Sequence, residues 1–273
     1  SIRFVDRQAV PGCFDATPAY AGRRGLVAYR AHLPLRDGTP HRLVFDAVHH
    51  WCRVYVAGRP LREHAGGHTR FHADLAGYVP GEADLVVLVD NRFDYRRSPL
   101  HHEYFDWYQY GGIARPVELQ RLGPLWIDSL RITTEGLRPP AVRVAVDYAA
   151  ATPGRAPLTI ACDGETVLEE AVDLAAPTGH LERTLALPGA RLWSPAAPHL
   201  HYLAVRLGDD DWCERIGLRQ VRVEGQQILI NDEPVRLLGF CRHEAHPQFG
   251  QALPHQLLVS DVQQLRDLGC NFV

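Results

Sequence analysis

Val235-Arg236-Leu237-Leu238 runs directly into Gly239-Phe240-Cys241-Arg242-His243-Glu244-Ala245-His246-Pro247. The first four residues read as a β-strand, apolar and opened by a branched side chain. The next nine crowd a cation, two imidazoles and a carboxylate into the strand's exit, a place where a polar ligand can be held. Further on, Leu258, Val262, Leu265 and Leu268 recur at spacings of four, three and three, which is one face of an α-helix. Gly269, just past that stripe, is a helix stop, and Asn271-Phe272-Val273 begins another strand. Strand, helix, strand opens an α/β unit, which the 273 residues leave unfinished.

Upstream the chain reads as strands without helices between them. Leu26–Leu33, Arg42–Asp46 and Arg53–Val56 are short, rich in β-branched and aromatic residues, and separated by turn formers such as Ala57-Gly58-Arg59-Pro60. Asp84–Asp90 is a nearly continuous apolar run, the pattern of a strand covered on both faces. Many short strands in succession indicate a sandwich. After Pro139-Pro140 a second block begins. Val142–Val146 alternates cleanly, and Leu158–Cys162, Thr166–Leu174, Leu181–Leu187 and Leu200–Leu207 follow at the spacing of an immunoglobulin-like sandwich, without the Cys-Trp-Cys core signature of true immunoglobulin domains. Beyond about Val223, Ile228–Asn231, a turn at Asp232-Glu233-Pro234, and Val235–Leu238 form a hairpin-like pair.

Composition narrows the function. Apolar residues make up 46% and charged residues 22%, ordinary for a globular protein of two or more domains. A net charge of −3 gives no electrostatic reason to expect nucleic acid or an anionic membrane. No apolar run approaches the roughly 20 residues that span a bilayer. Cys13, Cys52, Cys162, Cys213, Cys241 and Cys270 are scattered without a C-x-x-C pair, so zinc-site spacing is absent, and buried free thiols in a cytoplasmic protein are the expectation.

Four stretches could carry chemistry. Arg242-His243-Glu244-Ala245-His246 offers groups that bind sugar hydroxyls, trade protons or ligate a metal, although its spacing is not the H-E-x-x-H of zinc proteases. Tyr104-Phe105-Asp106-Trp107-Tyr108-Gln109-Tyr110-Gly111-Gly112-Ile113-Ala114-Arg115 sets aromatics around one carboxylate, which suits a carbohydrate: ring faces meet C–H surfaces and Asp106 accepts hydroxyl protons. Gly66-Gly67-His68-Thr69-Arg70-Phe71 reads as a turn, and with no helix after it a phosphate loop does not fit. Leu192-Trp193-Ser194-Pro195 reads as a packed turn between strands. The pairs His49-His50 and His101-His102 default to surface histidines.

Taken in order, these motifs resemble glycoside hydrolase family 2, the β-galactosidase and β-glucuronidase family. Val54–Gly58 with Gly66–Phe71 is similar to its sugar-binding domain, and Tyr110–Val117 to that domain's closing segment. Leu192–Leu200 and Arg215–Arg219 are similar to the immunoglobulin-like domain; Ile230–Val235 and Gly239–Glu244 to the start of the catalytic barrel. The resemblance implies a mainly β chain: a jelly-roll-like sugar-binding sandwich over 1–132, an immunoglobulin-like sandwich over 133–223, and an incomplete start of a (β/α)8 barrel over 224–273. It implies a retaining exo-β-glycosidase acting on a terminal β-linked sugar, with β-galactosides favoured by His246-Pro247 and Gly250-Gln251; β-glucuronidase or a non-catalytic carbohydrate-binding module are the alternatives. Substrate-binding roles fall to Asp106, reaching from the sugar-binding domain, and to His243 after the first barrel strand, with Glu244 lining the pocket. Both catalytic glutamates of such an enzyme sit on later barrel strands, so the expectation is that they lie beyond Val273 and that Glu244 matches neither. The carbohydrate is the expected partner, a homo-oligomer is left open, no cofactor is identifiable, and a divalent metal is left open for the rest of the barrel.

Overall fold

The computed structural model describes residues 2–36, 39–75, 77–78, 80–95, 97 and 108–273. The chain is mainly β and divides into two compact units, one of Ser1–Arg121, Phe240–Asn271 and Val273, the other of Leu122–Gly239 with Phe272.

In the first unit Leu26–Leu35, Gly81–Asp90, Trp51–Val56 and Arg59–Ala65 lie side by side in that order as a four-stranded antiparallel sheet. Val117–Arg121, His41–Phe45 and Phe71–Asp74 form a three-stranded sheet, and the short strands Gly12–Cys13, Gly112–Ile113 and Val48–His49 a third. Alternation along the strands puts Leu43, Phe45, Val54, Val56, Val87 and Val89 into one core. Within Gly81–Asp90 the near-continuous apolar run splits by parity: Leu85, Val87 and Val89 are buried while Val86 and Leu88 are only partly covered. Ala57-Gly58 makes the tight turn before Arg59.

The second unit is the immunoglobulin-like sandwich. Leu125–Leu137, Pro140–Ala150 and Thr178–Ala186 form one antiparallel sheet; Glu165–Leu174, Gly154–Cys162, His201–Leu207 and Asp210–Ile216 form the other. Val142, Val144, Val146, Leu158, Ile160, Leu203, Val205 and Leu207 are all at most 1% exposed and form its core. The Leu192–Pro195 stretch is a packed turn: Trp193 N–H donates to Leu218 O at 2.9 Å, its carbonyl accepts from the Asn231 amide at 2.8 Å, and the Arg219 guanidinium lies over its ring.

The hairpin-like pair is a three-stranded meander of Val221–Glu224, Gln227–Ile230 and Glu233–Val235. Its second turn falls on Asn231-Asp232, both with positive φ, one residue earlier than the sequence suggested. The strand expected over Val235–Leu238 ends at Val235, because its N-terminal part is already committed to the meander. A parallel pairing still follows: Gly239 bridges Phe272, whose N–H donates to Leu238 O at 3.2 Å. Between these partners the first unit contains the helix His255–Asp267, ended at Gly269 in the left-handed region. Bridge residue, helix and returning bridge partner follow along the chain in the order in which a (β/α) barrel opens, although neither bridge residue lies in a full strand. The helix forms where the apolar stripe placed it, but none of its residues is buried. No helix among the described residues is long and apolar enough to cross a membrane.

Candidate functional site

Gly112 and Ile113 pair on one side with Gly12–Cys13 and on the other with Val48–His49. Gly112 has φ +149 and leaves no space for a side chain, since a Cβ there would stand 2.3 Å from Gly12 O. This fixes the segment's path, and Arg115 follows at its end, its backbone held by Ala47 O at 3.4 Å. The Arg115 guanidinium donates to Gln251 O at 2.7 Å through Nη1 and contacts Glu244 Oε2 through Nη2.

Glu244 is shared. Its other oxygen lies 3.7 Å from Arg242 Nη1, and Arg242 in turn reaches Asp261 on the helix, through Nε at 3.0 Å and Nη2 at 2.6 Å. Asp261, Arg242, Glu244 and Arg115 therefore form a run of alternating charges that balances to zero. After it, the loop closes in a turn at His246–Gly250, where Gly250 N–H donates to His246 O at 2.7 Å and the His246 and Phe249 rings lie 5.0 Å apart. Gly250 then seats on Cys13 and Tyr110. Burial pushes the Cys13 thiol up to about 11, against opposing hydrogen bonds from the Gln251 and Ala252 backbone.

A buried polar network lies under Tyr108–Gly111. Asp15, 3% exposed, accepts from Gly111 N–H at 2.9 Å and from the Asn91 amide at 3.1 Å. Burial raises its carboxyl above the usual range, opposed by the Gly111 hydrogen bond and the charge of Arg24. Arg24 donates to Gln109 O and stacks over the Tyr108 ring. Gln109 is buried and its amide lies 3.3 Å from His49 Nδ1. At the strand end Gly81–Asp90, the buried Asp90 carboxylate is clasped by Arg92 at 2.6 Å and Arg97 at 3.1 Å. Burial is the largest single influence and raises its pKa, but these hydrogen bonds and ion pairs together outweigh it and hold the carboxyl below the usual carboxylate range.

Of the residues expected from sequence, His243 is exposed on the loop and its carbonyl accepts from Ala245 N–H at 3.0 Å. Glu244 is at the centre of the ion-pair run. Asp106 lies outside the described residues. The stretches that contain these three do meet, at Arg115 with Glu244 and at Tyr110 with Gly250. Reading the sequence assigned no role to Arg115, Asp15, Asp261 or the Cys13–Gly250 contact. Arg115 stood in the quoted motif, whereas the others had no local signal because their partners are remote in sequence. His49 corrects the expectation of surface histidines: it is 1% exposed, its ring edge to that of His68, and burial lowers its pKa to about 3. His50 is half-buried against Arg97 O, and His101-His102 lies outside the described residues. The cysteines divide as well: Cys13 and Cys52 are buried, but Cys213 and Cys241 are exposed.

Two other places differ from this loop in chemistry. Cys162, Asp163 and His201, in the second unit, bring ligand-type atoms within 4.8 Å of one another. Both His201 nitrogens are engaged, Nδ1 with Asp163 Oδ2 at 2.7 Å and Nε2 with Arg191 O at 2.9 Å, so the trio reads as a fastened turn. A hollow of about 1400 Å³ opens in the first unit beside Leu26–Leu35, and no residue of the 240–252 loop lines it. Its lining of Phe4, Tyr29, Leu33, Phe45 and Ile113 is mainly apolar and does not suit sugar hydroxyls.

Comparison with known proteins agrees with this layout. Residues 23–123 match the model for the sugar binding domain of glycosyl hydrolases family 2, and residues 221–273 match that family's TIM barrel domain. A β-glucuronidase of Paenibacillus borealis is 32% identical over 257 residues, covering 83% of this chain and 41% of the relative. A β-galactosidase of Thermoanaerobacter pseudethanolicus is 26% identical, covering 90% of this chain and 35% of the relative. The crystal structure of a β-galacturonidase from Eisenbergiella tayi bound to galacturonate is 31% identical with a TM-score of 0.87, covering 98% of this chain and 50% of that one. The chain thus spans half or less of the length of these relatives.

Proposed function

We infer that this chain, which belongs to glycoside hydrolase family 2, works within a retaining exo-β-glycosidase that removes a terminal β-linked sugar. The observation that carries the reading is the meeting of the sugar-binding and barrel segments, at Arg115 with Glu244 and at Gly250 with Tyr110. That contact brings the sandwich's closing segment to the loop bearing His243, as a shared pocket wall requires.

Double displacement at the anomeric carbon needs one carboxylic acid to protonate the leaving oxygen and a carboxylate about 5–5.5 Å away as nucleophile. Glu244 is held by two guanidinium groups and is suited to neither task. Both glutamates are therefore assigned to barrel sequence outside these residues. His243 and Asp106 are assigned to hydroxyls of the glycone, and the enzyme to the cytoplasm, in keeping with the six free cysteines.

A β-linked uronide is the favoured substrate, because β-glucuronidases recur among the relatives and a β-galacturonidase is the 31% identical structure. A β-galactoside is the second reading, supported by His246-Pro247, Gly250-Gln251 and the Thermoanaerobacter relative. The test is to express the complete reading frame and assay aryl β-glucuronide, β-galacturonide and β-galactoside, following the product's anomeric configuration by NMR. Turnover of one with retention is expected. Inversion, or no turnover of any, overturns the reading.

A further inference from the structure

We propose that Glu244 is a positioning residue, not a sugar ligand: through Arg115 it fastens the segment that displays His243 to the sandwich. The proposal rests on the glycosidase reading and deepens it.

Each Glu244 oxygen faces a guanidinium, one Arg115 and the other Arg242. The hydrogen bond from Arg115 and the 3.7 Å ion pair with Arg242 together set the orientation of the carboxylate between the two guanidinium groups. Arg115 also holds the far side of the loop through Gln251 O at 2.7 Å, so one side chain spans the segment like a staple. Arg242, 20% exposed, is tied to the helix by Asp261, and thus both neighbours of His243 are anchored while His243 itself is exposed. The run Asp261–Arg242–Glu244–Arg115 is neutral as a set. It supplies no spare positive charge for a uronate carboxylate, which must be recognised by groups elsewhere in the enzyme.

Partly exposed ion pairs contribute little to global stability, typically about 0–1 kcal/mol. Placement is another matter, since a displacement near 1 Å can cost about 100-fold in rate. The signature is therefore a large kinetic effect beside a small change in unfolding.

A double-mutant cycle tests this. Arg115→Gln, Glu244→Gln and the pair are made in the full-length protein for kinetics and in this chain for hydrogen exchange. Each single change is expected to lower kcat/KM about 10–100-fold. The pair should be no worse than the worse single change, and exchange over His246–Ala252 should rise equally in all three. Arg115→Lys, which keeps the charge but holds fewer partners, should fall in between. Multiplying kinetic effects, or a kinetic loss at Glu244→Gln with unchanged exchange, would make Glu244 a direct ligand and overturn the proposal. Should the full-length wild type hydrolyse no glycoside, the glycosidase reading fails, while the exchange cycle still decides whether Arg115 and Glu244 act as one unit.

Discussion

The backbone of Gly250 lies flat against Cys13: a Cβ on Gly250 would stand 2.8 Å from Cys13 Cβ and 2.9 Å from both its sulphur and the Tyr110 ring. Its φ of +59 also falls where only glycine is comfortable. Gly250→Ala therefore combines left-handed strain, about 1–2 kcal/mol, with overpacking, about 1–3 kcal/mol. Urea unfolding should show a loss of about 2–5 kcal/mol, with the loop's exchange rising before the sandwich's.

Thiol chemistry should rank the cysteines. Only the thiolate reacts, and burial holds Cys13 near 11 and Cys52 near 12, so almost none is present at neutral pH. Alkylation with iodoacetamide followed by mass spectrometry should modify Cys213 and Cys241 first and leave Cys13 and Cys52 unmodified until denaturant is added.

His49 makes the fold acid-sensitive. Its folded pKa, near 3, is below the ordinary histidine value of 6.5, so the unfolded chain binds a proton that the native one refuses. Stability present above pH 6.5 is lost as pH falls toward 3. The neighbours Gln109, His50, His68 and Arg115 supply no negative charge to offset this. At pH 4.5 the loss should reach roughly 2–3 kcal/mol. His49→Gln should flatten that slope in denaturation curves at pH 7.5 and 4.5, whatever it does to stability at neutral pH.

Leu203, fully buried in the immunoglobulin-like sandwich, tests the core of the second unit. Leu203→Ala should cost about 2–5 kcal/mol through lost transfer energy and the cavity left behind. The transition of the second unit alone should move if the two units unfold independently, which tryptophan fluorescence from Trp126, Trp193 and Trp212 can report.

The strands were legible because each carries its own pattern: Val142, Val144 and Val146 alternate, and all three are buried as alternation requires. Spacing also placed the helix, but spacing names a face without saying what covers it. The turn near Asp232 lies one residue before the stretch that Pro234 suggests: Pro234 pairs with Leu229 within a strand, and Asn231-Asp232 supplies the positive φ. At the candidate site, the residue types near His243 were readable and their partners were not. Glu244 meets Arg115 across 129 positions, and His49 meets Gln109 across 60. Whether a carboxylate binds a ligand or anchors a loop depends on such distant pairings, which local sequence does not contain.

The helix His255–Asp267 leaves Val262 58% and the neighbouring Leu268 70% exposed to water. Aliphatic surface in contact with solvent is unfavourable, so the chain handled by itself should be sticky. It should brighten ANS fluorescence and show light scattering that grows with concentration, and Val262→Glu should diminish both without shifting the melting of either sandwich.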